Sequence, residues 1–204
     1  MAWFPLMLDT NRLHCLVLGG GAVSLRKVNA LLSFDLHPVV IAKSFCGQWD
    51  ALPVQCIQRA ALPEDADGFD LVIDGTGDPV LGKELFSYCE EHHILLNVVD
   101  APDLCTVIFP SILQRGKFTA ALSTSGASPT AAMWAREQLN DLLPDFWAPL
   151  LDQLAAVRPL AQKYLPDARD RKKFLQDCFY RALKAERPFT DAEFSALQEE
   201  LKQQ

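Results

Sequence analysis

Cys15-Leu16-Val17-Leu18-Gly19-Gly20-Gly21-Ala22-Val23 is the stretch on which the fold turns. A short apolar run enters three consecutive glycines, and a helical pattern begins directly after them. Strand, tight turn and helix N-terminus in that order are what a dinucleotide requires. Glycines without Cβ let the backbone approach a pyrophosphate. The free N–H groups and positive dipole end of the following helix favour its negative charge. Gly19, Gly20 and Gly21 are therefore candidate cofactor contacts. The third glycine of the G-x-G-x-x-G fingerprint is here Ser24 or Leu25, depending on alignment. A glycine-rich turn that only joins strand to helix is the competing reading.

Outward from this turn, Leu25, Val28, Leu31, Leu32 and Leu36 recur at helical spacing, which predicts a helix over Ala22 to Phe34. Pro38 to Ala42, Val54 to Gln58, Leu71 to Asp74 and Ile94 to Val99 read as strands, with a helix from Pro79 to His92 before the last. The alternation predicts an α/β fold, a doubly wound parallel sheet whose ligand lies at the carboxyl ends of the strands. From Val107 the texture changes. Val107 to Leu113 and Phe118 to Ser123 are extended and joined by the turn Gln114-Arg115-Gly116-Lys117, either extending the sheet or pairing with a second subunit. Ser128 is the expected N-cap, and Pro129 the first position, of a helix running to Leu143. Beyond Pro144 the chain reads as helical, with breaks near Pro159, Pro166 and Pro188 and a final helix, Asp191 to Lys202, capped by Thr190.

Half of the 204 residues are hydrophobic, enough for a sizeable core. No run of eighteen apolar residues occurs, and Met1 to Asp9 lacks the pattern of a signal peptide, so a cytoplasmic protein without membrane partners is expected. Six cysteines without a C-x-x-C pair read as reduced, buried thiols, and four histidines show no metal-ligand spacing. No metal site is expected. A net charge of −7 argues against nucleic acid as a partner. Residues 1–112 carry 6 basic against 14 acidic side chains and residues 113–204 carry 13 against 12, so the second part suits an anionic ligand better.

The acidic residue that often ends the second strand and bonds the adenosine ribose is missing, because Ile41-Ala42-Lys43-Ser44 stands there. Backbone groups or Ser44 must hold the ribose, and Lys43 is compatible with a 2′-phosphate, which leaves NAD and NADP undivided. Asn97-Val98-Val99-Asp100-Ala101-Pro102 ends an apolar strand in a carboxylate at the ligand-facing edge. Asp100 is a candidate proton acceptor, since a carboxylate in a partly apolar cleft moves toward a useful pKa. An aspartate that merely opens a turn before Pro102 is the alternative. Ser123-Thr124-Ser125-Gly126-Ala127-Ser128-Pro129 places hydroxyls and unhindered backbone before a helix N-terminus, a loop that can bind carboxylates or serve only as a helix cap.

Gly19 to Lys27, Asn97 to Pro102, Ile108 to Ser111 and Ser123 to Pro129, in this order and spacing, resemble the precorrin-2 dehydrogenase family, which includes stand-alone enzymes and the N-terminal module of sirohaem synthase. The resemblance runs over about residues 3–150. The later helical part is similar in length and character only, and the absence of a following methyltransferase module points to the stand-alone form. The resemblance implies an NAD-binding Rossmann domain (1–112), a dimerisation segment (113–145) and a small all-helical C-terminal domain (146–204). It also implies NAD-dependent oxidation of precorrin-2 to sirohydrochlorin in sirohaem biosynthesis, followed in some members by insertion of Fe²⁺, taken as substrate. Carried over by residue, Ala22, Val23, Lys43 and Ser44 contact NAD and Asp100 is the general base. Asp74-Gly75-Thr76-Gly77-Asp78 is similar to the family's Ala-Thr-Asp-Asp loop, which makes Thr76 a cofactor contact, although Gly77 replaces one acid. Thr124 takes the place of a serine that lines the tetrapyrrole site, with Ser123, Ser125, Gly126 and Ser128 beside it. The substrate's many carboxylates call for cations: Arg115, Lys117 and Arg136 by nearness, and farther along Arg169, Arg171, Lys172 and Lys173. A homodimer is implied as well, with apolar surface around Phe118 to Leu122 and at Met133, Trp134 and Leu139. The rival from another class is a non-catalytic, NAD-binding, redox-sensing Rossmann dimer.

Overall fold

The computed structural model describes residues 3–203. They form two compact units, one of Trp3–Phe109 and one from Pro110 onward. The first unit contains β1 (Cys15–Leu18), α1 (Ala22–Leu32), β2 (Val39–Ala42), β3 (Gln55–Gln58), β4 (Leu71–Asp74), α2 (Pro79–Glu91) and β5 (Leu95–Val98). All five strands are parallel, in the order β3-β2-β1-β4-β5. Leu18 is in register with both Ile41 and Asp74, and Asp74 with Val98, so four strand ends finish side by side.

Alternation along the strands sorts the core into two layers. Leu16, Leu18, Val72, Leu96 and Val98 pack with Leu85 and Cys89 of α2. Cys15, Val17, Val40, Leu71 and Ile73 pack with Val28 and Leu31 of α1. Both faces are covered, which is why these strands read as continuous apolar runs. Each fully buried Leu, Ile or Val contributes about 1.5–3 kcal/mol. The β2–β3 link is a loop in which Trp49, 3% exposed, fills the α1 layer edge-to-face with Phe45 at 5.4 Å.

The outer edge of β5 is closed by residues 105–107. Thr106 and Val107 donate their N–H groups to Leu96 O at 2.8 and 3.1 Å, and Thr106 Oγ1 accepts from Leu96 N at 2.7 Å. This corrects the expected strand from Val107. With that segment spent on β5, the next strand starts at Ser111, and the hairpin of β6 (Ser111–Arg115) and β7 (Phe118–Leu122) forms a separate antiparallel sheet rather than an extension of the first.

The second unit continues with α3 (Pro129–Leu142), α4 (Trp147–Tyr164), α5 (Ala168–Ala185) and α6 (Asp191–Lys202). Ser128 Oγ accepts from Ala131 N at 3.1 Å, the expected cap of α3. Thr190 and Glu193 form a reciprocal capping box on α6. Pro166 and Pro188 fall in breaks, but Pro159 lies inside α4. Pro159 cannot donate to the preceding turn. The helix nevertheless runs through, because Val157 and Ala161 on either side are buried in one cluster with Leu201 of α6. The hairpin packs on the same helices, with Phe118 edge-to-face on Trp147 at 5.4 Å, so segment 113–145 and the helices after it belong to one compact unit.

Cys15, Cys89, Cys105 and Cys178 are buried free thiols, but Cys46 and Cys56 are exposed. The expected burial of the thiols does not hold at Cys56, because β3 is an edge strand with little covering it, or at Cys46, which sits in the β2–β3 loop. No helix among the described residues is long and apolar enough to cross a membrane.

Candidate functional site

A cleft of about 630 Å³ opens over the carboxyl ends of β1, β2 and β4. The glycine turn forms its floor, and close packing there explains the glycines. Gly19 donates its N–H to Ile41 O at 2.8 Å with φ +99°, and a Cβ on it would meet Gly75 O at 2.7 Å. A Cβ on Gly20 would lie 2.2 Å from Ser44 O, and Gly20 O accepts from Trp49 Nε1 at 3.1 Å. Gly21 has open space where its Cβ would stand, and it is the N-cap of α1 with no side chain bonding the first N–H groups.

That bare helix end is where the residues fit a dinucleotide. The helices α2, α3, α5 and α6 carry side-chain caps from Asp78, Ser128, Asp167 and Thr190. Neither α1 nor α4 has one; of these two, α1 begins at Gly21, a residue of the cleft, which puts its first N–H groups beside the space a pyrophosphate would fill. Lys43 and Ser44 are exposed on the cleft wall at the end of β2, with no carboxylate between them and β2. Ala22 and Val23 lie in the first turn of α1 and their side chains do not line the cleft, so they can contribute backbone N–H groups only.

Thr76 lines the opposite wall and is firmly placed. Its N–H and Oγ1–H both donate to Asp74 Oδ1, at 2.9 and 2.6 Å, and its Oγ1 accepts from Asp78 N at 3.2 Å. Asp78 Oδ1 in turn accepts from Val80 N and Leu81 N, at 3.0 and 3.3 Å, so this acid caps α2. Asp74 is 1% exposed; burial pushes its carboxyl above the ordinary range, against the opposing pull of the Thr76 bonds.

Sequence reasoning missed the wall made by Ala60 to Pro63. It is held by Arg59, whose guanidinium grips Asp65 with two bonds of 2.7 and 2.6 Å, while Asp65 Oδ2 accepts from Leu62 N at 2.8 Å. The Arg59 pairing keeps the Asp65 carboxyl below the usual range. The available signal was the oppositely charged pair six residues apart around a proline, too common a pattern to read alone.

Asp100 lies on the turn after β5, exposed and with φ +60°, and it is not on the cleft wall. Cys105 braces this turn: its Sγ accepts from Val98 N and donates toward Val98 O, both at 3.2 Å, and lies 3.4 Å from Ala101 O. Lys27 of α1, another residue outside the expected set, stands 3.8 Å over the Phe109 ring. Desolvation lowers its pKa and the Arg26 charge acts in the same sense, while the Asp100 carboxylate acts in the opposite one.

The Ser-Thr loop belongs to the second unit and is largely occupied with itself. Thr124 Oγ1 accepts from Ser128 N at 3.0 Å and donates to Ser128 O at 2.9 Å, while Ser123 Oγ accepts from Ser125 N at 3.1 Å. Ser125 and Gly126 are left-handed and exposed, with φ +54° and +85°. Arg115, expected as a contact for substrate carboxylates, is engaged within its own unit. Its guanidinium donates to Leu143 O, Asp145 Oδ1, Asn140 O and Asn140 Oδ1, clamping the hairpin to the end of α3. Lys117 is paired with Asp152 but remains more than half exposed.

Residues 6–111 match the model of a family described as putative NAD(P)-binding. This chain belongs to that family. It is also 33% identical over 183 residues to a siroheme synthase of Zymomonas mobilis, covering 88% of the chain and 39% of that protein. A siroheme synthase of Methylococcus capsulatus is 33% identical over 182 residues, covering 85% of the chain and 38% of the relative. The chain thus spans about two fifths of the length of the curated relatives it matches. The solved structure of "SirC, precorrin-2 dehydrogenase" superposes with a TM-score of 0.77 at 18% identity, over 99% of this chain and 100% of that one, so the fold is shared across both units. The resemblance first read from four short motifs is borne out, and it extends into the C-terminal helices.

Proposed function

We propose that this chain oxidises precorrin-2 to sirohydrochlorin with NAD, a step of sirohaem biosynthesis. The observation that carries the reading is the likeness to siroheme synthases over 88% of the chain, which takes in the glycine cleft and the Asp100 turn together. When bound, NAD supplies a two-electron acceptor for hydride. The N–H groups behind Gly21, including those of Ala22 and Val23, hold the pyrophosphate; Lys43 and Ser44 hold the adenosine ribose; and Thr76, locked by Asp74, shapes the wall between. Asp100 accepts the proton that the macrocycle releases on oxidation, its turn braced by Cys105. Should Fe²⁺ enter as a second substrate, the same carboxylate is available to the departing pyrrole N–H protons. Lys117 and the Ser123–Ser128 loop, with Thr124 at its base, face the substrate's carboxylates; Ser125 and Gly126 present the exposed part of that loop.

The protein acts as a homodimer in this reading. Met133 and Trp134 of α3 are 52% and 62% exposed, and Leu142 77%, an apolar face that a two-fold partner would cover. Six free thiols suit the reducing cytoplasm.

The test is to mix the purified chain with precorrin-2 and NAD, follow the absorbance of sirohydrochlorin, and then add Fe²⁺. A spectral change at the first step is expected, and none would overturn the reading in favour of a non-catalytic NAD-sensing dimer. Asp100→Ala should keep NAD affinity and lose about 10²–10⁴-fold in turnover; an unchanged rate would remove Asp100 as the base.

A further inference from the structure

A second groove, of about 750 Å³, lies wholly within the C-terminal unit, lined by residues of α4 and α5 together with Lys117 of the hairpin turn. Its charged side chains are Lys117, Arg158, Arg171 and Lys172, and among the described residues no carboxylate lines it. In a chain of net charge −7 this is a local reversal of sign. Two of the four cations already have work: Lys117 pairs with Asp152, and Arg171 donates to Leu165 O and Pro166 O, at 2.8 and 2.7 Å, tying down the α4–α5 link. Arg158 and Lys172 are exposed and make no hydrogen bond or ion pair among the described residues. Between these charges the groove offers Leu154, Leu175 and Phe179, each half-buried, and Tyr180, which is 61% exposed.

An inorganic anion has no use for the apolar and aromatic strip, and an apolar ligand has no use for unpaired cations. Together they suit a flat, amphipathic polycarboxylate whose ring lies on the aromatic side chains and whose acid groups reach the cations. The volume lies within the range of ligand sites. We propose that this groove binds the carboxylated tetrapyrrole, with Arg158 and Lys172 as its principal charge contacts and Phe179 and Tyr180 against the ring. The identity of the ring rests on the function proposed above; the recognition of a flat polyanion does not.

The probe is uroporphyrin III, a fluorescent, metal-free polycarboxylate, titrated into the full chain. Binding should weaken as KCl is raised. Arg158→Glu/Lys172→Glu should weaken it at least tenfold while leaving NAD affinity unchanged, and Arg158→Gln/Lys172→Gln, which only removes charge, should lose less. Thermal melts by circular dichroism establish that each variant is folded. A folded variant with wild-type affinity for uroporphyrin overturns the proposal, as does equal competition by mellitate, a polycarboxylate without the broad apolar ring. Loss of uroporphyrin binding in a chain whose wild type oxidises no precorrin-2 would leave the groove standing and remove the dehydrogenase reading. Normal oxidation by the wild type with unchanged uroporphyrin affinity in the folded Glu variant would do the reverse.

Discussion

In the first unit β1 and β4 are buried along their whole length, whereas in the second the hairpin strands β6 and β7 have one buried residue between them, Leu113, and α3 has only Ala132. The parallel sheet completes its core inside one chain because α1 and α2 cover both faces. The hairpin and α3 instead leave apolar side chains outside, and Arg158 of α4 and Lys172 of α5 make no hydrogen bond or ion pair among the described residues. One region is closed around a cleft for a cofactor, and the other presents surface that invites a subunit or a ligand.

The sharpest way to break this contrast lies within the glycine turn. Gly20→Ala drives a Cβ to 2.2 Å from the Ser44 carbonyl, a backbone atom that cannot swing aside, and should cost about 3 kcal/mol in chemical denaturation. Gly21→Ala meets open space at a negative φ and should stay within about 1 kcal/mol of wild type, while weakening nucleotide binding. Equal destabilisation by the two would mean that the first unit is less tightly closed than its packing indicates. In the second unit, Trp134→Glu should convert dimer to monomer in light scattering without changing nucleotide affinity, because Trp134 is an exposed side chain of α3 and does not line the nucleotide cleft. A wild-type chain that is already monomeric would leave the exposed face of α3 without the partner proposed for it.

Two titrations sharpen the comparison with smaller effects. Burial raises the Asp74 carboxyl in the folded chain above its unfolded value, so the folded state holds the proton more tightly. Its contribution to stability is therefore complete below the ordinary carboxylate range and is lost as pH rises through the raised value. Asp74→Asn keeps an oxygen for Thr76 and should flatten that loss in a series of melting temperatures against pH. Glu193 runs the other way: the Arg187 guanidinium, with the Thr190 N–H and hydroxyl, brings its carboxyl down to about 2. That stability is present above the ordinary glutamate value and lost as pH falls toward the depressed one. Glu193→Gln should flatten the acid limb slightly, since the pair is substantially exposed.

Much of the first unit was legible because its signals are local. The glycine turn, the strand runs and the spacing of Leu25, Val28 and Leu31 depend on near neighbours and a single period. The caps Ser128 and Thr190 were legible for the same reason, each acting on a backbone N–H three residues ahead. Arg115 misled because its partners lie 25 to 30 residues away, at the end of α3. Val107 misled because a fragment extended by its own preferences was claimed by the free edge of β5. Pro159 misled because a local penalty was outweighed by packing against α6.

Read as a string, the chain was sufficient to specify a nucleotide-binding parallel sheet, its alternation with helices and the capped starts of α3 and α6, since these follow from periodicity, glycine stereochemistry and hydrogen bonds that span a few residues. It took the folded molecule to establish which donors remain unspent. That Asp74 is buried, that Arg115 is consumed and that Arg158 and Lys172 are not, all depend on groups brought together from distant parts of the chain. The availability of a side chain for a ligand is what is left after those long-range bonds have formed.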